Sequence, residues 1–234
     1  FRAAVHASYL NAEFKVGSSK IIFTENQLHR IVLEYGEAIM HIQFIYNSYL
    51  KNTPWDIDFE LDLSKPGKVL TPQEHYLIGN ELQRNGIKLS SICLDPLKDA
   101  EAVNDNLQLH CEIADTFGYR LSFKNADIAM NDTAAAMKYL KGKVHFKMNN
   151  ILWLSAIELA KALDADLFGK LCAACGCEAT ADAADRALVL GYRKALNPKE
   201  DGNVVVAMKA FLEEHHAEYA AAIKENVAAK LKNI

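Results

Sequence analysis

The sequence predicts an α/β fold assembled from successive strand–helix units, and three observations carry that expectation. First, Trp55, Ile57, Phe59, Leu61 and Leu63 alternate with Asp56, Asp58, Glu60 and Asp62, the period-2 signature of a strand with one apolar and one acidic face. Second, a strongly punctuated helix follows, opened by Thr71-Pro72-Gln73-Glu74 and closed by Gly86. Thr71 caps it, Pro72 suits the first helical position, Glu74 completes a capping box, and Gly86 supplies the left-handed end. Third, the strand-then-helix order recurs after this unit with short connections, which argues for parallel βαβ units wound right-handed.

Before that opening unit, FKVGSSKIIF predicts a hairpin turning at Gly17-Ser18. Thr24-x-x-Gln27 then caps a long helix whose stripe of Leu28, Val32, Tyr35, Ile39, Ile42, Tyr46 and Tyr49 keeps helical spacing to about Leu50. His41 lies beside the stripe, at the edge of the expected core. After it, strand Ile87–Cys93 leads to a helix from about Asp99 to Phe117, with Val103, Leu107, His110 and Ala114 on one face and Gly118 as terminator. Strand Tyr119–Phe123 leads to a helix around Asp132–Leu140 closed by Gly142, and strand Lys143–Met148 to a helix from Asn150 through Leu163. From Asp164 the chain reads as helical, broken near Asn197-Pro198 and Asp201-Gly202 and ending in a surface helix of roughly Val204 to Lys230 with exposed His215-His216.

Four strand–helix units are visible, whereas a complete (β/α)₈ barrel has eight and about 250 residues. The expectation is therefore a TIM-barrel-like fold, either a partial barrel (its C-terminal half with extra C-terminal helices) or a small open sheet wrapped in helices. Residues 1–234 are read as one α/β domain: hairpin and long helix over 1–53, strand–helix units over 54–163, terminal helices over 164–234. In a half-barrel a sheet edge is left exposed and something must cover it.

Composition narrows the function classes. With 234 residues, half of them hydrophobic, the chain can bury a substantial core. No apolar run approaches the roughly 18 residues of a membrane span. The net charge of −4 gives no electrostatic case for nucleic acid or an anionic membrane. The chain begins at Phe1 rather than Met, which reads as a processed chain or a fragment. Its five cysteines are an odd set without a disulfide framework. Cys172, Cys175 and Cys177 form a C-x-x-C-x-C cluster, but Cys93 and Cys111 lie far upstream, and structural zinc normally wants four ligands. They are read as packing cysteines in a reducing cytoplasm. No phosphate-binding glycine loop or nucleophile elbow is visible.

Several segments, DFELDL, TPQEHYLIGNELQRNGIKLSS, EIADTFGYRLSF, KVHFKMNNILWLSAIELA with DADLF, and the closing FLEEHHAEYAAAI, resemble the tagaturonate/fructuronate epimerases. YGEAIMHIQFIY in the first long helix fits the same family. The resemblance implies a metal-dependent sugar-acid isomerase with a TIM-type barrel, of which this chain is similar to the C-terminal part. It departs from the family pattern at the chemistry. Where the family has V-D-E-T, with a Glu resembling a catalytic acid/base, this chain has Leu63-Ser64-Lys65-Pro66, which places Lys65 on the Glu. Where the family offers a metal-binding His in H-S-G-S-D, Lys124 stands here, followed by Asn125-Ala126-Asp127-Ile128. The H-V-K motif survives as His145-Phe146-Lys147, and the loop after the second strand is reduced to Leu94–Lys98.

A lysine ammonium has three donors and no acceptor, so it cannot ligate a divalent metal unless deprotonated. The implied cofactor is a divalent cation, with His145 as the metal-binding position that remains; a structural histidine at a barrel rim is the other reading. Lys65 and Lys124 are open to three roles: fixed charges replacing the metal, partners of Asp56, Asp58, Glu60, Asp62 or Asp127, or a counter-charge for a sugar-acid carboxylate. Lys147 lies on the strand face of His145 by the period-2 rule. His75 and Tyr76 are the further candidates for substrate contact. Two functions follow: a diverged epimerase acting on keto-hexuronates, or a catalytically silent relative that binds a sugar acid or acts as a partner subunit. The expected partner is a small-molecule sugar acid, with a homo-oligomer or a second chain supplying the missing barrel half.

Overall fold

Helix α1 (Arg2–Tyr9) leads into the antiparallel hairpin of β1 (Glu13–Val16) and β2 (Ser19–Ile22), which turns at Gly17-Ser18 as the sequence requires. The structure, a computed structural model, describes residues 2–63, 68, 70–95, 105–126, 138–139, 143–148, 150–176, 191 and 202–232. Helix α2 (Glu25–Ile45) starts from the Thr24–Gln27 capping box and runs on into one π-helical stretch, Tyr46–Leu50. Its stripe of Leu28, Val32, Tyr35, Ile39 and Ile42 is buried, while Tyr49 is exposed. His41 departs from its expected core-edge place: it is exposed and stacks on Phe44 at 6.4 Å between ring centres.

Four parallel strands, β3 (Glu60–Asp62), β4 (Ser91–Leu94), β5 (Arg120–Phe123) and β6 (Val144–Phe146), form one sheet in that sequential order. Sequential order is what repeated (β/α) barrel units produce; a doubly wound sheet reverses direction at a switch point. Helix α3 (Pro72–Arg84) follows β3 with the Thr71/Glu74 capping box formed as predicted, and Gly86 takes φ +70° beyond its end. Helix α4 (Leu107–Phe117) precedes β5 and stops at Gly118, φ +77°. The register aligns Leu61, Ile92, Leu121 and Val144 across the sheet. Side chains alternate faces along a strand, so these residues, with Leu94, Phe123 and Phe146, share one face and enter the core beneath the helices. Tyr9, Phe14, Phe23, Tyr76 and Phe117 complete that core as a chain of ring contacts.

The acidic strand is shorter than its alternation suggests. β3 pairs with β4 through Glu60–Asp62, and Trp55 and Ile57 precede it exposed, at 76% and 48%. Alternation marks residues that are able to line two faces; a partner strand decides how many do so. The predicted helix at 132–140 lies outside the described residues apart from 138–139, as do Lys65, Asp127, Cys177 and the predicted breaks at Asn197-Pro198 and Asp201.

Packing divides the chain into two compact units, Phe1–Lys147 and Met148–Ile234. In the second, α5 (Asn150–Leu163), α6 (Ala165–Cys175), α7 (Gly202–Glu214) and α8 (His216–Leu231) gather Ala156, Ala160, Leu167, Leu171, Met208 and Phe211 into a core of their own. The predicted terminal helix is thus two helices, with the His215 ring packed 4.6 Å from that of Phe211 at the break. Cys172 is buried and Cys175 packs against this core.

Candidate functional site

The polar face of the sheet carries residues that the same register brings into rows: Glu60, Ser91 and Arg120, then Asp62, Cys93, Ser122 and His145. Backbone hydrogen bonds from Lys124 to Leu94 and from Lys147 to Phe123 extend the ladder one residue past β5 and β6. The alternation therefore continues, and Lys124 and Lys147 join the same face at the C-terminal ends of the strands, where barrel enzymes place their chemistry.

Two lysine–carboxylate ion pairs hold this face. Lys147 donates to Glu60, and Lys124 pairs with Asp62. Glu60 and Lys147 belong to the two outermost strands, which in a flat sheet would stand roughly 14 Å apart, three strand spacings. Their direct contact requires a curved sheet with the polar face concave, the curvature of a barrel arc. Ser91 Oγ donates to the other Glu60 oxygen at 2.8 Å, and His145 Nδ1 lies 3.9 Å from that oxygen and 3.5 Å from Ser122 Oγ. Asn125 Nδ2 donates to Asp95 at 2.9 Å. Asp58, Glu60, Ser91, Arg120, His145 and Lys147 line a cleft of about 470 Å³.

Burial alone would raise the Glu60 carboxyl, but hydrogen bonds from Lys147, Ser91 and Ser122 hold it below the ordinary carboxylate value. Burial would lower Lys147; its bond to Glu60 outweighs that and raises it. The bond to Asp62 raises Lys124, against a smaller opposing effect of burial. Both lysines thus stay cationic and Glu60 anionic at neutral pH. Burial pushes the Cys93 thiol up to about 11, which makes it a poor nucleophile despite its place in the row.

Among the predicted residues, His145, Lys124 and Lys147 are brought together on this face, and Lys65 lies outside the described residues. His75 and Tyr76 go elsewhere. The third and fourth residues after Pro72 of α3 are carried into the core rather than to the strand ends. His75 is fully buried, its Nδ1 2.9 Å from Nδ1 of His110 and its Nε2 2.7 Å from the Tyr119 hydroxyl. Tyr76 packs between Phe14 and Phe117, with ring centres 5.0 and 5.2 Å away. Hydrogen bonds hold the His75 ring and ring contacts hold that of Tyr76, so neither is brought to the polar face where substrate contact was expected. Glu74 is likewise fully buried and bridged by Lys68 at 2.6 Å, with Lys68 also paired to Glu34.

Ser91 and Ser122 are functional-face residues that sequence reasoning passed over. Their signal was present: each hydroxyl alternates with apolar side chains along its strand (SICL, RLSF), the mark of a face that does not meet helices.

The described residues of this face do not fit a resident divalent cation. A catalytic ion normally needs about three protein ligands. Here the carboxylates of the rows, Glu60 and Asp62, already carry an ammonium, Asp95 accepts from Asn125, and His145 is the one imidazole of the rows. An ion would have to displace Lys124 and Lys147 and then stand beside their charges.

The tagaturonate epimerase family profile matches residues 1–188. The tagaturonate/fructuronate epimerase of Thermotoga maritima is 26% identical over 174 residues, which cover 70% of this chain and 36% of that protein. Crystal structures of fructuronate-tagaturonate epimerase from Cohnella laeviribosi, native and with one glycerol, superpose with TM-scores of 0.81 and 0.80 at 23% and 22% identity. Each comparison covers 99% of this chain and 56% of the crystal chain, so the chain spans about half, or less, of the length of these relatives.

Proposed function

Because the chain belongs to the tagaturonate epimerase family, we propose that it contributes the hexuronate-binding face of an isomerase that interconverts tagaturonate and fructuronate. The observation that carries the reading is the concave polar face, where Glu60 is held by Lys147 and Ser91 with His145 alongside. Lys124 and Lys147 are fixed cations suited to the substrate carboxylate or to an oxygen on which negative charge develops. Glu60, kept anionic, and the exposed His145 are the groups able to accept and return a proton at a hydroxylated carbon. Ser91 and Ser122 orient these groups and offer hydroxyls to a polyhydroxy substrate.

A second reading rests on a specific observation: the Glu60 and Asp62 carboxylates are already paired with lysine. A face so neutralised also suits a chain that binds a sugar acid, or serves as a subunit beside a catalytic partner, without turning substrate over itself. The deciding experiment follows tagaturonate by NMR with the purified chain, in Mn²⁺, Zn²⁺ or Ni²⁺ and again with chelator. Appearance of fructuronate supports the epimerase reading, and its dependence on metal shows whether residues beyond those described complete an ion site. Saturable binding without conversion supports the second reading. Neither binding nor conversion overturns both.

A further inference from the structure

The proposed hexuronate face leaves unused a separate cluster on the first two helices. His6 of α1 and Glu25 and His29 of α2 bring one ligand atom each to within 4.8 Å of one another. Among the described residues this is the set of three that is close enough to share an ion. We propose that His6, Glu25 and His29 form a binding site for a divalent transition-metal ion of the zinc type, which clips α1 to α2.

The geometry follows from the local sequence. Glu25 and His29 stand four apart at the start of a capped helix, so they project from one face of it, one turn apart. His6 reaches them from α1, its Nε2 3.5 Å from Glu25 Oε1. Two ligands of a tetrahedral ion bound at about 2.0–2.1 Å stand roughly 3.4 Å apart, so this pair already has ligand spacing. The His6 and His29 rings are stacked, 5.5 Å between centres and 27° apart in plane, and a nitrogen of each lies within 4.8 Å of the other's and of a Glu25 oxygen. Two imidazoles and a carboxylate with a further position open to water is a donor set that suits zinc, and the same nitrogens rank nickel and copper among competitors. The cluster borders a groove of about 720 Å³ whose apolar wall includes Leu28 and Val32, so water reaches the ion from one side. An ion here would tie together two helices separated in sequence by the β1–β2 hairpin.

The test is a titration of the metal-free chain with Zn²⁺ alone by calorimetry and with Co²⁺ alone by visible absorption. The comparison proteins are H6A, E25Q and H29A, with H41A as an exposed histidine outside the cluster. One equivalent of Zn²⁺, the absorption of a low-coordinate Co²⁺ ion, and a loss of affinity of at least about tenfold in each of H6A, E25Q and H29A are expected, with H41A unchanged. The three replaced residues are half-exposed or exposed, so the variants keep the fold, and far-ultraviolet circular dichroism checks it. Absence of saturable 1:1 binding overturns the site. So does binding that survives any of the three replacements undiminished, or that is weakened equally by H41A. None of these readings depends on hexuronate turnover, so the site and the proposed function stand or fall separately.

Discussion

Lowering the pH from about 8 to 5 is expected to destabilise the protein through the buried pair His75–His110. Their Nδ1 atoms meet at 2.9 Å, which requires one ring to donate and the other to accept, and the Tyr119 hydroxyl occupies the far nitrogen of His75. Burial, with the Leu70 carbonyl acting weakly the other way, pushes His110 from 6.5 down to about 4. Burial and then the neighbouring His110 push His75 well below its usual value. An unfolded imidazole takes up its proton as pH falls through 6.5, whereas native His110 does so only near 4. Between those values the unfolded state binds more protons, so stability falls as pH falls. For His110 alone the loss is about 2 kcal/mol by pH 5 and about 3 kcal/mol when the window closes; His75 adds in the same direction. Glu60 also favours the native state more at higher pH, but its contribution is present above 4.5 and is lost as pH falls through its depressed native value, below this window. Urea unfolding monitored by circular dichroism at several pH values between 5 and 8 measures the slope. His110→Gln removes one titrating group, so its slope should be clearly shallower. A wild-type stability that is flat across the window, or a slope unchanged in the variant, refutes the argument.

Two further outcomes test the packing that positions the site. A methyl group at Gly79 would stand 2.7 Å from Phe117 Cδ2 and 2.8 Å from the Tyr119 hydroxyl. Gly79→Ala should therefore cost about 1–3 kcal/mol by overpacking, read as a lowered urea midpoint at unchanged slope. Lys68→Met leaves the fully buried Glu74 carboxylate without its ammonium and should cost about 2 kcal/mol. Adding Glu74→Gln should recover part of that loss, and a double variant no more stable than Lys68→Met would deny the buried pair its importance.

The parts of the fold legible in the sequence are those with a local chemical cause. Both capping boxes, at Thr24 and Thr71, and the left-handed glycines at 86 and 118 fell where their hydrogen-bonding and φ requirements placed them. The parallel four-stranded sheet was legible because strands alternated with helices across short connections. Strand length was not legible, since pairing ends β3 at three residues while the alternation of its side chains runs on for nine. Nor was the fate of His75. A polar residue one position after a buried cap residue reads as available chemistry until His110 and Tyr119, distant in sequence, are seen to satisfy both of its nitrogens. The site was half-legible for the same reason: His145 and Lys147 share a face by counting, but only curvature brings Lys147 across to Glu60.

That contact separates the two functional readings by experiment. If Lys147 serves to bind the hexuronate carboxylate, its bond to Glu60 competes with substrate, and Glu60 restrains the cation that substrate needs. Glu60→Gln should then tighten hexuronate binding, whereas Lys147→Met should weaken it at least about tenfold, since charge-assisted bonds contribute about 1.5–3 kcal/mol. If Glu60 is also the proton acceptor of an epimerase, Glu60→Gln should abolish conversion while leaving binding intact or improved, a loss confined to kcat. A silent sugar-acid-binding chain gives the first pair of effects with no turnover to lose. Calorimetry with tagaturonate on the two variants, beside the NMR conversion assay, reads both quantities. Glu60→Gln and Lys147→Met weakening binding alike would mean that the pair only holds β3 against β6, and the hexuronate would have to be sought on another surface.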